Sequence, residues 1–312
     1  MKKKLISIVT PCYNENGNVE ELHRQIKAIF DALPQYDYEH IYIDNSSTDR
    51  TVAILKELAA QDKRLKVIVN VKNFGVYRSP LHALFQARGD AVIPMCADFQ
   101  DPPALIPEFV KEWENGYKIV AAVKKGSQES AIMFAIRKLF YRIMCYLSET
   151  ELIKGFSGYG LYDRCVIDLL RSTDDHYPYF RGLISEMGYP VARIEYVRPV
   201  RKHGFSKNRF YDLYSQAMNG VVNYSKIPLR LATLTGFVVA FLSLLTSAVY
   251  FVYKVIFWSS FNVGLAPLVI GLFFFSAVQL IFLGILGEYI GAIHTRIFQK
   301  WLVIEKERIN FD

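Results

Sequence analysis

Three short segments concentrate the residue types that do chemistry. They are Thr10-Pro11-Cys12-Tyr13-Asn14-Glu15, Ile43-Asp44-Asn45-Ser46-Ser47-Thr48-Asp49 and Cys96-Ala97-Asp98-Phe99-Gln100-Asp101-Pro102-Pro103. Each closes an apolar run and is dense in carboxylates, amides and hydroxyls. Hard divalent cations take oxygen ligands of this kind. Glycine cradles for phosphate are missing. No G-x-G-x-x-G follows the first apolar run, and no G-x-x-x-x-G-K-[ST] occurs anywhere. A carboxylate-rich site without such cradles suits a sugar nucleotide held through a divalent cation.

Asp98, at the mouth of an apolar run, is read as a metal or sugar ligand, and Asp44 in the same setting as a contact to base or ribose. Asp49 and Asp101 also suit helix N-caps, Asp101 with Pro102 at the first helical position. Glu15 is balanced between a site and a surface role. Cations follow. Lys124-Lys125 succeed a fifth apolar run, and Arg137, Lys138 and Arg142 lie on the polar face of a helical pattern over Ala131–Leu147. Asn208–Tyr224 is a second, aromatic and partly amphipathic stretch. Either segment suits an interfacial helix on anionic lipid or an ordinary core-facing helix.

The elements that must position these residues alternate. Strand-like runs are Leu5–Thr10, His40–Asp44, Leu65–Val69, Ala91–Cys96 and Lys118–Val123. Helical patterns lie between them at Val19–Leu33, Thr51–Ala60, Arg78–Ala87 and Leu105–Trp113. That order predicts an α/β domain with a mostly parallel sheet and helices on both faces. Ligands of such sheets bind at the carboxyl ends of the strands, where the three polar segments fall.

The rest of the chain is of another character. The 312 residues are 52% hydrophobic and only 21% charged, but the deficit is local. Leu231–Thr295 contains two charged residues, Lys254 and Glu288. Within it, Leu231–Tyr253 and Val263–Gly287 carry no charge. Each reaches roughly 35 Å as a helix, enough for a hydrocarbon core of about 30 Å. The short link between them predicts a hairpin. Arg193–Arg230 has eight basic residues against Glu195 and Asp212, and Arg296 and Lys300 follow the second run. By the positive-inside rule both termini are cytoplasmic, in a multi-pass protein of the inner (plasma) membrane. The basic stretch abuts a membrane entry, which favours lipid phosphate over nucleic acid as its partner. Met1-Lys2-Lys3-Lys4 precedes an apolar run too short for a signal peptide. Four scattered cysteines with no C-x-x-C pair exclude a disulfide scaffold and read as reduced thiols. Glycines at 264, 271, 284, 287 and 291 suit close helix packing, within the chain or in a homo-oligomer.

Taken together, P-x-Y-N-E, the D-x-S-x-D-x-T turn, Asn73-Phe74-Gly75 and A-D-x-Q-D-P-P resemble glycosyltransferase family 2. The later R-x-x-G-x-S-K (Arg201 to Lys207) and the hairpin ending in Gly287-Glu288 resemble its polyprenyl-phosphate glycosyltransferases, the bactoprenol glucosyltransferase and dolichol-phosphate mannose synthase group. The resemblance implies a GT-A (Rossmann-like) catalytic domain over 1–207, a juxtamembrane helix over 208–230, a hairpin over 231–287 and a cytoplasmic segment over 288–312. It implies inverting transfer of one sugar, glucose from UDP-glucose as the leading donor, to undecaprenyl phosphate or a related lipid, with Mg²⁺ or Mn²⁺. UDP-GlcNAc and GDP-mannose are alternative donors. Pro11, Tyr13, Glu15, Asp44 and Asn45 would line the nucleotide pocket, and Asp98 and Gln100 would hold the metal. Asp98, Asp101, Arg201 and Lys207 would serve catalysis, while Lys124, Lys125, Arg137, Arg201 and Lys207 would bind lipid phosphate.

Three positions depart from the family pattern. Asp44-Asn45-Ser46-Ser47 replaces D-D-G-S or N-D-G-S, Cys96 replaces the first acid of D-A-D, and Ser157-Gly158-Tyr159-Gly160-Leu161 lacks an acid often found in G-D-F-R-L. These departures motivate a rival reading as a non-catalytic membrane scaffold. A processive polysaccharide synthase is a second rival, but Gln299-Lys300-Trp301 is not its Q-x-x-R-W motif. The acceptor's chemistry softens the third loss. A phosphate monoester has a second pKa near 6 and is largely a dianion in the cytoplasm, so it needs orientation more than a general base.

Overall fold

The structure, a computed structural model, describes residues 3–126, 153–173, 175, 177–199, 218, 222, 225–257, 265–297 and 301–311. The order is β1 (Lys4–Cys12), α1 (Val19–Asp31), β2 (Tyr36–Asp44), α2 (Thr51–Gln61), β3 (Leu65–Asn70), α3 (Gly75–Gln86) and β4 (Ala91–Pro94). A 3-10 turn at Pro103–Leu105 leads into α4 (Ile106–Glu114), β5 (Ile119–Gly126), β6 (Phe156–Asp163), α5 (Arg164–Ser172), α6 (Phe180–Glu186) and β7 (Val191–Val197). Two long helices follow, α7 (Ile227–Ile256) and α8 (Leu265–Ile297), and then β8 (Glu305–Ile309).

The eight strands form one sheet in the order β7-β5-β6-β4-β1-β2-β3-β8. β4, β1, β2 and β3 are parallel neighbours, and β5 pairs in parallel with β7. β6 runs antiparallel to both β4 and β5, and β8 antiparallel to β3. The expected mostly parallel sheet is therefore present. Its central strands are buried on both faces, as parallel strands require. Ile6, Ile8, Tyr42 and Val67 face Leu22, Ile26, Leu55 and Phe109 of α1, α2 and α4. Val9, Ile41, Ile43 and Ile68 face the other layer, where Leu81, Leu84, Val166 and Leu170 of α3 and α5 lie. Burying such a side chain contributes roughly 1.5–3 kcal/mol, so the two layers hold the central strands firmly.

Several expectations are corrected. β4 stops at Pro94, which leaves Cys96 in a loop, and Lys124 and Lys125 lie inside β5 rather than after it. β6, β7 and β8 have no counterpart among the expected strands. Gly160 makes β6 possible, because a Cβ there would sit 2.1 Å from the Val120 carbonyl oxygen. The segment 288–312 is no simple tail: α8 continues to Ile297 and β8 returns to close the outer edge of β3. Ion pairs and amide bonds secure it, His82 Nε2 to Glu305 at 2.6 Å, Lys56 Nζ to Glu307 at 2.5 Å, and Asn310 Nδ2 to the carbonyls of Ala59 and Leu65 at 2.8 Å.

α7 and α8 are the two candidate membrane-spanning helices, longer than the charge-free runs within them. Neither buries its most apolar window against protein, and Phe237, Phe241 and Phe273 are about seven-tenths exposed. A helix that is apolar on all sides and faces no protein core suits lipid. The Ala131–Leu147 and Asn208–Tyr224 segments fall outside the described residues, apart from positions 218 and 222.

Candidate active site

The sheet reverses its winding between β1 and β4, which is where an open α/β sheet forms a crevice at its carboxyl edge. Cys12 of β1 stands opposite Asp44 of β2, and Val9 opposite Pro94 of β4. The three polar segments thus leave adjacent strands side by side. In each, one non-glycine residue adopts a left-handed backbone: Asn14 (φ 54°), Ser46 (φ 66°) and Phe99 (φ 60°). Such conformations are uncommon and cost of order 1 kcal/mol or more, so surrounding bonds must hold them.

Those bonds are present. Asn45 N donates to Cys12 O at 2.9 Å, Asn14 N to Ser47 Oγ at 2.8 Å and Thr48 N to Asn14 Oδ1 at 2.8 Å. Glu15 N donates to Thr51 Oγ1 at 2.9 Å, and Glu15 Oε2 accepts from Asn18 Nδ2 at 2.6 Å. Asp49 accepts from Thr51 N at 2.9 Å at the start of α2, a helix-entry role, and from Asn16 N at 3.4 Å. Asp44 is fully buried and accepts from both the backbone and the hydroxyl of Ser47. Burial raises its pKa against the pull of those bonds. Pro11 and Tyr13 flank buried Cys12 and are themselves half-buried at the same edge.

After β4, Asp98 is buried, and its Oδ1 accepts from Gln100 N at 3.2 Å. Asp101 turns back across the loop, accepting from Cys96 N at 3.0 Å, and leaves its other oxygen buried with no hydrogen-bond partner. It does not cap α4, whose start carries no side-chain cap. Burial raises the Asp101 pKa, opposed by the Cys96 bonds and by Arg198. Cys96 is exposed as a residue, and the negative charge of Asp101, with that of Asp98, pushes its thiol pKa above the ordinary value. A neutral thiol thus stands in place of the first acid of the D-A-D pattern. Tyr159 fastens the loop from β6 by donating to Pro102 O at 2.6 Å.

A hard divalent ion fits the oxygen set of Asp98, Gln100 and the unpartnered oxygen of Asp101, not the thiol. Among the described residues no three His, Cys, Asp or Glu side chains are grouped to hold an ion unaided. Such an ion would complete its shell with water and with oxygens of a bound diphosphate.

Lys124 and Lys125 lie at the end of β5, at the same edge of the sheet. Lys125 pairs with Glu195 of β7 at 2.8 Å, a solvent-exposed contact of little energetic weight. Arg137, Arg201 and Lys207 are outside the described residues. Three contributors escape sequence reasoning. Arg198, only counted within the basic stretch, bears electrostatically on Asp101 and Cys96. Asn70 and Asn73 bond Asn45, and only the Asn73-Phe74-Gly75 motif hinted at them.

Residues 7–164 match the profile of "Glycosyl transferase family 2". The chain is 31% identical to the uncharacterized glycosyltransferase YkcC of Bacillus subtilis, over 98% of this chain and 97% of the relative. It is 30% identical to the bactoprenol glucosyl transferase of Shigella phage SfV, over 93% and 94% of the two chains. Among solved structures, the mannosyltransferase PcManGT of Pyrobaculum calidifontis, in complex with GDP-Man and Mn²⁺, aligns with a TM-score of 0.46 at 16% identity, covering 96% of this chain and 89% of that one.

Proposed function

The chain belongs to glycosyl transferase family 2 and is a glycosyltransferase, and from that premise we propose that it transfers one sugar, with inversion, to a polyprenyl phosphate such as undecaprenyl phosphate. Glucose from UDP-glucose is the donor we favour, on the strength of the bactoprenol glucosyl transferase relatives. The observation that carries the reading is the meeting of three acidic segments at the β1/β4 crevice in a chain that also has two helices suited to lipid.

In this reading Pro11, Tyr13, Glu15 and Asp44 receive the nucleoside, and Asp98 and Gln100 hold Mg²⁺ or Mn²⁺. The ion, when bound, neutralises charge developing on the departing diphosphate. Arg198 adds a fixed cation beside Asp101. Lys124, Lys125, Arg137, Arg201 and Lys207 orient the acceptor phosphate. Because that phosphate is already a dianion, Gly158 in place of an acid leaves the nucleophile intact. In this reading the two long helices lie in the plasma membrane with the catalytic domain and both termini cytoplasmic, a reading supported by the basic residues that flank them.

The test is direct. Purified protein is mixed with polyprenyl phosphate, Mg²⁺ or Mn²⁺, and radiolabelled UDP-glucose, UDP-GlcNAc or GDP-mannose. Label should enter the lipid phase as a monosaccharide. Failure with every donor sinks the proposal, and a polymeric product favours a processive synthase. In the same assay D98N should lower turnover about a hundred-fold or more, the range for losing one preorganised electrostatic contact, with an unchanged melting temperature.

A further inference from the structure

Asn45 stands where the family pattern has a carboxylate, and its surroundings give that exchange a physical reason. The side chain is buried, and both its ends are engaged. Oδ1 accepts from Phe74 N at 2.8 Å and Asn70 Nδ2 at 3.3 Å. Nδ2 donates to Asn73 Oδ1 at 2.9 Å and to Gly75 O at 3.1 Å. Two of these partners are backbone groups of fixed polarity, one N–H and one C=O. They set the orientation of the amide without appeal to any other side chain. Residue 45 must therefore present an acceptor and a donor at once. A carboxylate supplies only the first, and would turn a negative oxygen toward the Gly75 carbonyl.

The network continues outward. Asn73 Oδ1 also accepts from Gly75 N at 2.8 Å, and Asn70 Nδ2 donates to buried Ser79 Oγ at 3.0 Å within α3. Gly75 has φ +83°, a left-handed conformation that disfavours a side chain. Phe74 in turn holds the Lys72 ammonium 5.2 Å and the Arg78 guanidinium 5.0 Å from its ring centre. The 73–75 turn thus carries a ring beside two cations and is tied to Asn45, the residue that follows β2.

We propose that Asn45 is a positioning residue for the nucleotide sugar. It locks the Asn73–Gly75 turn as the outer wall of the donor pocket, through an amide that a carboxylate cannot replace. This rests on the donor-site reading above. The network holds the turn whichever sugar is transferred.

The test compares wild type with N45A and N45D by hydrogen exchange at the Phe74 and Gly75 amides, UDP binding and steady-state transfer. Both variants should exchange faster at those amides and bind UDP more weakly. The donor KM should rise roughly ten-fold, as expected for one or two lost hydrogen bonds, with kcat within about two-fold. Unchanged exchange overturns the proposal. So does faster exchange with unaltered UDP affinity and donor KM, or a fall in kcat alone. Should the Asn45 variants fail to fold, N73A at the exposed end of the network must show the same pattern or the proposal fails. If wild type transfers no sugar, the function reading falls, while exchange and UDP binding still decide the role of Asn45.

Discussion

Asp163 shows how one residue serves a framework rather than the chemistry. It ends β6 and caps α5, accepting from Cys165 N at 3.1 Å, Trp113 Nε1 at 2.8 Å and Lys118 Nζ at 3.0 Å. Burial alone would raise its pKa, but those donors outweigh burial and hold it down at about 2. A carboxylate depressed in the folded state stabilises above its unfolded pKa and loses that contribution as pH falls through the folded one. Stability should therefore drop between about pH 4, the unfolded value, and about pH 2. In D163N that part of the drop should be absent and stability at pH 7 lower, checked by urea titrations across pH. The same contrast explains what single residues reveal in sequence. The positions of Asp44, the last residue of β2, and Asp98, in the loop after β4, were legible because each follows an apolar run. The role of Asn45 was not, because its partners Asn70, Asn73 and Phe74 lie 25 to 29 positions away and meet it only once β2 and β3 pair.

Among the elements, β1 to β5 were readable because strands buried on both faces are continuous apolar runs. β6 and β8 were not. Phe156–Asp163 carries Gly158 and Gly160, which weaken a strand pattern, yet Gly160 is there so that β6 can approach β5. Glu305-Lys306-Glu307-Arg308-Ile309 has almost no apolar content and reads as a solvated tail. Charged residues of this kind are typical of a sheet edge, where they discourage pairing with other chains. β8 earns its place through partners on α2 and α3, with Glu305 held in its charged form by Arg308 and His82 against the effect of burial. Deleting residues after 304 should lower the melting temperature by several degrees, since a loss of 1–2 kcal/mol shifts a domain of this size by about 2–4 °C per kcal/mol. It should also promote aggregation through the bared edge of β3, visible by size-exclusion chromatography in detergent.

For the whole molecule, the sheet constrains the membrane topology. β1 to β7 precede the two long helices and β8 follows them, yet all eight strands share one sheet. Helices that cross a bilayer between them must cross as a pair. α7 and α8 have 30 and 33 residues, roughly 45 and 50 Å, against a hydrocarbon core of about 30 Å. The surplus leaves several turns of helix beyond the length that the core requires. In a cysteine-free background, single cysteines at positions 3 and 311 should react with an impermeant maleimide only after the cells are opened. One at position 260 should react in intact cells. Labelling of positions 3 and 311 from opposite sides would sink the paired crossing.

The late return of β8 also orders events in time. Translation delivers β3 long before β8, so the outer edge of β3 stays unpaired until both long helices have left the ribosome. The β3 edge of the sheet is completed only after the two long helices have been made.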